Sequence, residues 1–355
     1  MNCLFVVDKY GSALWNAAIA RCSLGTGLVI ASDEFKSPKY LLKFIVDSEY
    51  DYVFFSWRKS LYDIVRIRNS GKLLRNLYTS KVILLLIPDY LGLDNKNFKK
   101  ESQILNSCHQ YFTTNLELAN LYAKKFPNHS QPKILHDLPR FDLIKKIITD
   151  YPKEKSHNIK KVIWVGNSRW GERQGYRDYK GYESVILPLK KLFENHSNCF
   201  NLEIINSAEK SMSHLETLVK IRQADYLIQA SVSEGTGLPV LEAISLGTIV
   251  LTTNVGIAQE IFDSKKSLNI VTRDAVFIHD RLHEIEKVNL LPSTTLIYRQ
   301  YIKKIIKETL EPQNKNMQET IVIPNNKFRI TVITNLYWFL RFCVAKIIHR
   351  KDSKT

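Results

Sequence analysis

Short apolar runs alternate with helical patterns along most of the chain, and this rhythm restricts the fold more than anything else in the sequence. Residues 4–7, 28–31, 52–56, 82–87, 111–114 and 133–135 are brief and rich in Val, Ile, Leu, Phe and Tyr. Continuous apolar runs of this length suit parallel strands covered on both faces. Helical spacing fills gaps between them, as at 12–21, 61–77 and 116–125. Strands alternating with helices predict a doubly wound α/β sheet. A polar, charged stretch containing Pro152 spans 150–160 and has the composition of a linker. A second strand–helix series follows, with strands at 161–166, 201–206, 225–229, 248–252 and 269–271. The expected organisation is a first Rossmann-like domain at 1–150, a linker at 151–160 and a second domain at 161–310. A loop and tail occupy 311–355. Ligands of such sheets bind beyond the carboxyl ends of the strands.

One stretch of the second half concentrates chemistry: Ser233-Glu234-Gly235-Thr236-Gly237-Leu238-Pro239-Val240-Leu241-Glu242-Ala243. A buried strand precedes it, and helical spacing follows until Gly247. Gly235 and Gly237 permit positive φ or close approach of a ligand to the backbone. Pro239 suits a first helical turn, where its missing N–H costs nothing. The free N–H groups and dipole of that terminus favour an anion such as phosphate. Seven residues separate Glu234 from Glu242, so both acids can face one cleft at different depths. The plainer alternative is a structural strand–turn–helix that carries two acids.

The run from Ala224 to Phe262 resembles the donor-binding segment of glycosyltransferase family 4, retaining nucleotide-sugar transferases of the GT-B fold. It carries Glu-Gly-x-Gly-Leu-Pro, the second Glu, an Ala, a glycine-led strand, and then Gly256 and Glu260-Ile261. Thr236 stands where the family often has an aromatic residue. The resemblance implies two Rossmann-like domains facing across a cleft. It also implies that Glu242 holds the donor ribose and Glu234 the donor sugar, while N–H groups around Gly235, Thr236, Gly237 and Leu238 orient the sugar. Gly256 would allow close packing over the donor. After the strand ending at Gly166, the family has a Gly-Arg, a gap and a Lys-Gly, whose cations neutralise the diphosphate. By motif these are Arg169 and Lys180 here, with Arg173 and Arg177 inside a longer gap. Fixed cations at a leaving diphosphate stabilise the charge that develops there.

In the first half, Gly11 and Ser12 match the family's glycine turn near the diphosphate; for Ser12 a plain helix cap is the alternative. Asp89 follows Pro88, where the family often has His-Asp, and is a further candidate beside a plain surface turn. His136 and Asp137 read as structural. Between Asn206 and Asp225 the chain is shorter than the family pattern, so the nucleotide base cannot be carried over.

Fifty-one basic against thirty-five acidic residues give +16, which points to an anionic partner. The five cysteines are scattered, and neither a disulfide frame nor a zinc site is expected. His279 and His283 have the spacing of two metal ligands on one helix face, but no third is near in sequence; no metal and no cofactor are expected. No signal peptide is expected, which gives a cytoplasmic location. The tail at 327–355 carries seven Lys or Arg against one Asp beside Trp338 and a broad apolar face. It is expected as an amphipathic helix, docked either on the inner face of the cell membrane as a peripheral anchor or back on the first domain.

The expected activity is metal-independent, hexosyltransferase-type transfer from a nucleotide-diphosphate sugar to a glycan or lipid-linked acceptor, in assembly of surface polysaccharide or lipopolysaccharide. The alternatives are a sugar-nucleotide epimerase or an inactive nucleotide-sugar-binding subunit of the same fold. A basic nucleic-acid-binding protein is a further alternative, but no motif supports nucleic acid as a partner.

Overall fold

The computed structural model describes residues 2–23, 26–153, 158–196, 199–262 and 267–288. The chain divides into a unit Met1–Lys307 and a second, Glu308–Thr355, that lies outside the described residues. The expected tail helix at 327–355 falls there.

The first lobe is built on β1 (Asn2–Val7), β2 (Thr26–Ala31), β3 (Tyr52–Phe55), β4 (Val82–Ile87), β5 (Gln110–Thr113) and β6 (Lys133–Ile134). They form a parallel six-stranded sheet in the order β2-β1-β3-β4-β5-β6. Its helices are α1 (Ala13–Cys22), α2 (Pro38–Asp47), α3 (Arg58–Val65), α4 (Gly71–Ser80), α5 (Phe98–Leu105) and α6 (Leu116–Lys125). Helical spacing at 61–77 predicted one helix, whereas the chain breaks it into α3 and α4. Asn69 takes a left-handed φ of 59° between them, a conformation Asn tolerates better than most residues. Leu4, Val6, Val53, Phe55, Ile83 and Leu85 present one face of the sheet to Leu61, Ile64, Leu77, Ile104 and Leu118.

The second lobe has β7 (Lys160–Gly166), β8 (Phe200–Asn206), β9 (Tyr226–Gln229) and β10 (Ile249–Thr252) in the parallel order β10-β9-β7-β8. The run expected as a strand at 269–271 joins by a single bridge, Ile270 to Thr252. Helices α7 (Phe141–Asp150), α8 (Leu187–His196), α9 (His214–Gln223), α10 (Leu238–Ser245), α11 (Ala258–Ile261) and α12 (Ala275–Val288) complete the described chain. Alternation along β7 sorts the two faces. Ile163 packs with Leu218 and Ile221 of α9 and with Val240 and Leu241 of α10. Val162 and Trp164 pack with Leu189 of α8 and with Ile278 and Leu282 of α12. Ile144 and Ile147 of α7 also join α9 and α10, so the helix that ends the first half of the sequence packs on the second lobe.

In both sheets the first strand is flanked by the second and third, and strand order reverses there. Ligands of open α/β sheets bind at that reversal, outside the carboxyl ends of the strands. In the second lobe the reversal lies between β7 and β9, whose following loops are 167–181 and 230–237.

Candidate active site

The loop after β7 is stiffened by its own residues. Gly171 and Gly175 are left-handed, and the Trp170 and Tyr179 rings lie 4.4 Å apart, with Tyr176 edge-on to Tyr179. Asp178 caps the helical turn that leads into α8. Its carboxylate accepts from the N–H of Glu183 at 2.8 Å and of Ser184 at 3.0 Å, while Arg273 donates to its carbonyl at 2.7 Å. Gly181 has φ +72°, and a Cβ there would lie 2.5 Å from the Ala230 carbonyl oxygen. Only glycine meets both demands, so the loops after β7 and β9 touch at this point.

That contact brings Lys180 to Glu234. The ammonium donates to Glu234 Oε1 at 2.5 Å and lies 5.3 Å from the Trp170 ring centroid. Ser231 Oγ donates to the same carboxylate oxygen at 2.6 Å. Both charged side chains are mostly buried. Tyr179 shares a hydrogen bond with Ser233, and burial pushes its phenol above the usual range. Arg169, Arg173 and Arg177 are exposed, and no side-chain partner holds their guanidinium groups among the described residues.

Glu242 lies apart from that pair, in the middle of α10. It is 4% exposed and its Oε1 is 2.7 Å from His214 Nε2, at the start of α9. Gly237, at φ +80°, turns the chain into α10, with Leu238 the first helical residue. Gly256, at φ +57°, lies under the loop 230–237, where a Cβ would approach the Thr236 carbonyl oxygen to 2.8 Å.

The loop 230–237 is also tied to the first lobe. Asn115 caps α6 by accepting from the Leu118 N–H at 2.7 Å, and its amide donates to the carbonyls of Glu234, at 3.1 Å, and Gly235. Thr236 Oγ1 donates to Asp137 Oδ2 at 2.7 Å, and Asp137 Oδ1 is 2.6 Å from buried Arg21 of α1. Thr236 therefore points at the first lobe. Glu260 follows the same course: it accepts from the Leu116 N–H at 3.3 Å and lies 3.5 Å from His136. Glu117 accepts from Gln259 at 3.2 Å and from Tyr90 at 2.8 Å; burial, and then Glu117, raises the Tyr90 phenol.

In the first lobe Gly11 takes φ +72° with open space around it. Ser12 is the cap of α1, accepting from the Trp15 N–H at 3.1 Å and donating to Asp8 at 2.6 Å. Asp89 pairs with buried Arg58, which also donates to Glu101 at 3.1 Å. This carboxylate is thus held inside the first lobe. Among the described residues there is no cluster of three or more groups that could hold a metal.

The structure therefore joins Lys180 to Glu234, sets Glu242 beside His214 and leaves the three arginines free. Asn115, Trp170, Ser231 and His214 were not among the residues singled out from sequence, and Asp137 was read there as structural. Three of these, Asn115, Asp137 and His214, become visible only once distant segments meet.

Residues 187–304 match the family model described as glycosyl transferases group 1. This span includes Glu234, Glu242 and Gly256 but begins after Arg169 and Lys180. No curated protein matches the chain. Among solved structures, the chain is similar to the trehalose-6-phosphate synthase OtsA, with a TM-score of 0.66 at 9% identity over 91% of this chain and 100% of that one. Anabaena HepE in complex with UDP-glucose gives 0.57 at 11% over 90% and 100%. Sucrose-phosphate synthase from Thermosynechococcus elongatus gives 0.58 at 14% over 90% and 98%. At these identities the likeness concerns the fold, which is GT-B: two Rossmann-like lobes.

Proposed function

We propose that the chain is a retaining glycosyltransferase of the family 4 kind, moving a hexose from a nucleotide-diphosphate sugar to a glycan or lipid-linked acceptor. The observation that carries this is the meeting of Lys180 and Glu234 where the strand order of the second sheet reverses. A cation and an acid sharing one hydrogen bond there suit a ligand with both phosphate and hydroxyl groups. An entering diphosphate takes up the Lys180 charge and frees the Glu234 carboxylate to accept from hydroxyls of the donor sugar. Arg169, with Arg173 and Arg177 near it in the chain, supplies further positive charge to the phosphates. Glu242 holds the ribose. N–H groups at Gly235, Thr236, Gly237 and Leu238 orient the sugar, and Gly256 keeps space beneath the loop. Gly11 and Ser12 approach the diphosphate from the first lobe.

In the reaction, the bond between the anomeric carbon and the phosphate oxygen breaks as the acceptor oxygen bonds to the same face of that carbon. The acceptor proton passes to the departing phosphate. Preorganised cations stabilise the charge that grows on the leaving group, and the chemistry needs neither a protein nucleophile nor a metal. The similar fold of HepE, solved with UDP-glucose, supports a nucleotide-sugar donor. The net charge of +16 supports an anionic acceptor carrier, and with it work in surface polysaccharide or lipopolysaccharide assembly on the cytoplasmic side of a membrane. No helix among the described residues is long and apolar enough to cross one.

The test is release of nucleoside diphosphate from UDP-, GDP-, ADP- and dTDP-sugars, with and without glycan or lipid-linked acceptors. Acceptor-dependent release with retained anomeric configuration is expected. Binding without release in every combination overturns the proposal.

A further inference from the structure

We infer that the face of the first lobe formed by α3, α5 and the end of α6 docks on an anionic lipid surface, with Phe98 and Leu121 as its apolar contacts and the cations around them as its electrostatic ones. This face takes no part in the donor chemistry, and the inference does not depend on the glycosyltransferase reading.

Two aromatic rings gather the charge. Tyr62 of α3 has the Arg66 guanidinium 5.1 Å and the Lys100 ammonium 4.6 Å from its ring centroid. Phe98, the first residue of α5, stacks on Phe126 at 5.1 Å and has the Lys125 ammonium 6.0 Å from its centroid. Phe98 is nevertheless 41% exposed. Leu121 is 38% exposed and, three and four residues before Lys124 and Lys125, shares their face of α6. Lys96 and Lys99 lie on either side of Phe98 in the chain. Among the described residues no carboxylate pairs with Arg66, Lys96, Lys99, Lys100, Lys124 or Lys125. Of the acids here, Asp63 is taken by Lys59, and Asp94 accepts from the Lys96 N–H at 3.0 Å.

The fold gains nothing from these cations. Lys99 and Lys100 sit in the first turn of α5 and Lys96 just before it, at the positive end of the helix dipole, where cations lower stability. No side chain caps that end. Glu101, the acid of the first turn, is 2% exposed and turned inward to Arg58 at 3.1 Å and Tyr122 at 2.7 Å. Charge kept against the dipole and set around exposed apolar side chains has the form of a surface that meets anionic headgroups and inserts its rings among them. A soluble polyanion would satisfy the charges but leave Phe98 and Leu121 in water, so the exposed pair favours lipid. The place of the face suits the site as well. α6 begins beside Asn115, which bonds the loop carrying Glu234, and reaches Lys124 and Lys125 at its far end. Its ten residues hold the lipid surface about 15 Å from that loop.

Sedimentation of the full chain with vesicles of phosphatidylcholine alone, and of phosphatidylcholine with phosphatidylglycerol in equal parts, tests this. The wild type should bind only the mixed vesicles and be released by high salt. Each cation near an anionic surface is worth about fivefold in binding, so Lys96→Gln, Lys99→Gln and Lys100→Gln together should weaken it about 100-fold. Phe98→Ser should weaken it about tenfold at unchanged charge. The triple variant relieves the positive end of α5, so its melting temperature should hold or rise, which separates lost binding from lost folding. A triple variant that binds mixed vesicles within about threefold of the wild type overturns the inference, because the attraction then comes from elsewhere on the chain. A wild type that ignores the mixed vesicles but is retained by heparin overturns it in favour of a soluble polyanion. Either failure leaves the glycosyltransferase proposal standing.

Discussion

Gly235→Ala is the substitution for which the structure forces the clearest outcome. A Cβ at this position would lie 1.8 Å from the Pro88 carbonyl oxygen and 2.8 Å from Thr114 Oγ1. Real Cβ atoms essentially never approach closer than 3.0 Å, so the two chains must part by about 1.2 Å. Neither obstacle yields easily, because the nearer one is backbone. The turn after β4 is held by the Arg58–Asp89 ion pair and by the Leu91 N–H, which donates to Asp89 at 2.9 Å. The donor loop is held by the Asn115 amide on the carbonyls of Glu234 and Gly235. Separation therefore breaks the Asn115 bonds and carries Glu234 with the loop. Overpacking of this kind costs about 1–3 kcal/mol of stability. Displacing a substrate-holding group by about 1 Å costs about 100-fold in rate. The assay is acceptor-dependent nucleoside diphosphate release, with the melting temperature read in parallel. Gly71→Ala is the control: it sits at the first turn of α4, where a Cβ meets nothing within 4 Å. It should leave turnover unchanged and hold or raise stability. If Gly235→Ala keeps kcat/KM within about threefold of wild type, the donor loop does not work against Pro88 and the inter-lobe account fails.

Lys180→Ala removes the ammonium between Trp170 and Glu234 and should lower turnover about 100–1,000-fold with an unchanged circular dichroism spectrum; near-normal turnover excludes its charge from the reaction. Arg58→Met leaves Asp89 and Glu101 buried without their cation and should cost about 3–5 kcal/mol in urea denaturation, whereas a loss below about 1 kcal/mol would show that the network contributes little. Burial pushes the thiols of Cys3 and Cys108 up to about 12. At pH 8 each is then about one part in ten thousand thiolate, the reactive form. Iodoacetamide at pH 8 should therefore leave both unmodified while exposed Cys199 is labelled, as mapped by mass spectrometry. Early labelling of Cys3 would contradict its burial.

Much of the architecture was legible because burial on both faces forces strands to be apolar. The Val-Ile-Leu-Leu-Leu-Ile run of β4 reads as a strand in any context. The break between α3 and α4 was harder to read, because apolar spacing continues across residues 66–70, which leave the helix with Asn69 at a left-handed φ. Lys180 and Glu234 were legible as separate motifs, but not their contact, which depends on Gly181 letting two loops touch. His214 carries no local signal, and its contact with Glu242, twenty-eight residues later, exists only in the fold. Asp89 shows the opposite case. Its position after a strand end suits a site residue, and it is paired with Arg58, the first residue of α3 after the neighbouring strand β3.

The inter-lobe bonds also account for the residue between the two glycines. An aromatic side chain at position 236 has no hydroxyl to offer on a short stem. Thr236 does, and it is 3% exposed with its hydroxyl on Asp137. Asp137 is in turn paired with Arg21, near the end of the helix that Ser12 caps. A threonine here therefore ties the donor loop to α1, whose other end bears Gly11 and Ser12. Thr236→Val keeps the shape but leaves Asp137 Oδ2 without this donor, which should cost about 1–3 kcal/mol. If the loop's position depends on that tie, the donor KM should rise as well. Pairing the change with Arg21→Met then gives a double-mutant cycle across the lobes. A coupling energy near zero between the two sites would show that Asp137 serves only to pair Arg21 and that the donor loop keeps its place through Asn115 alone.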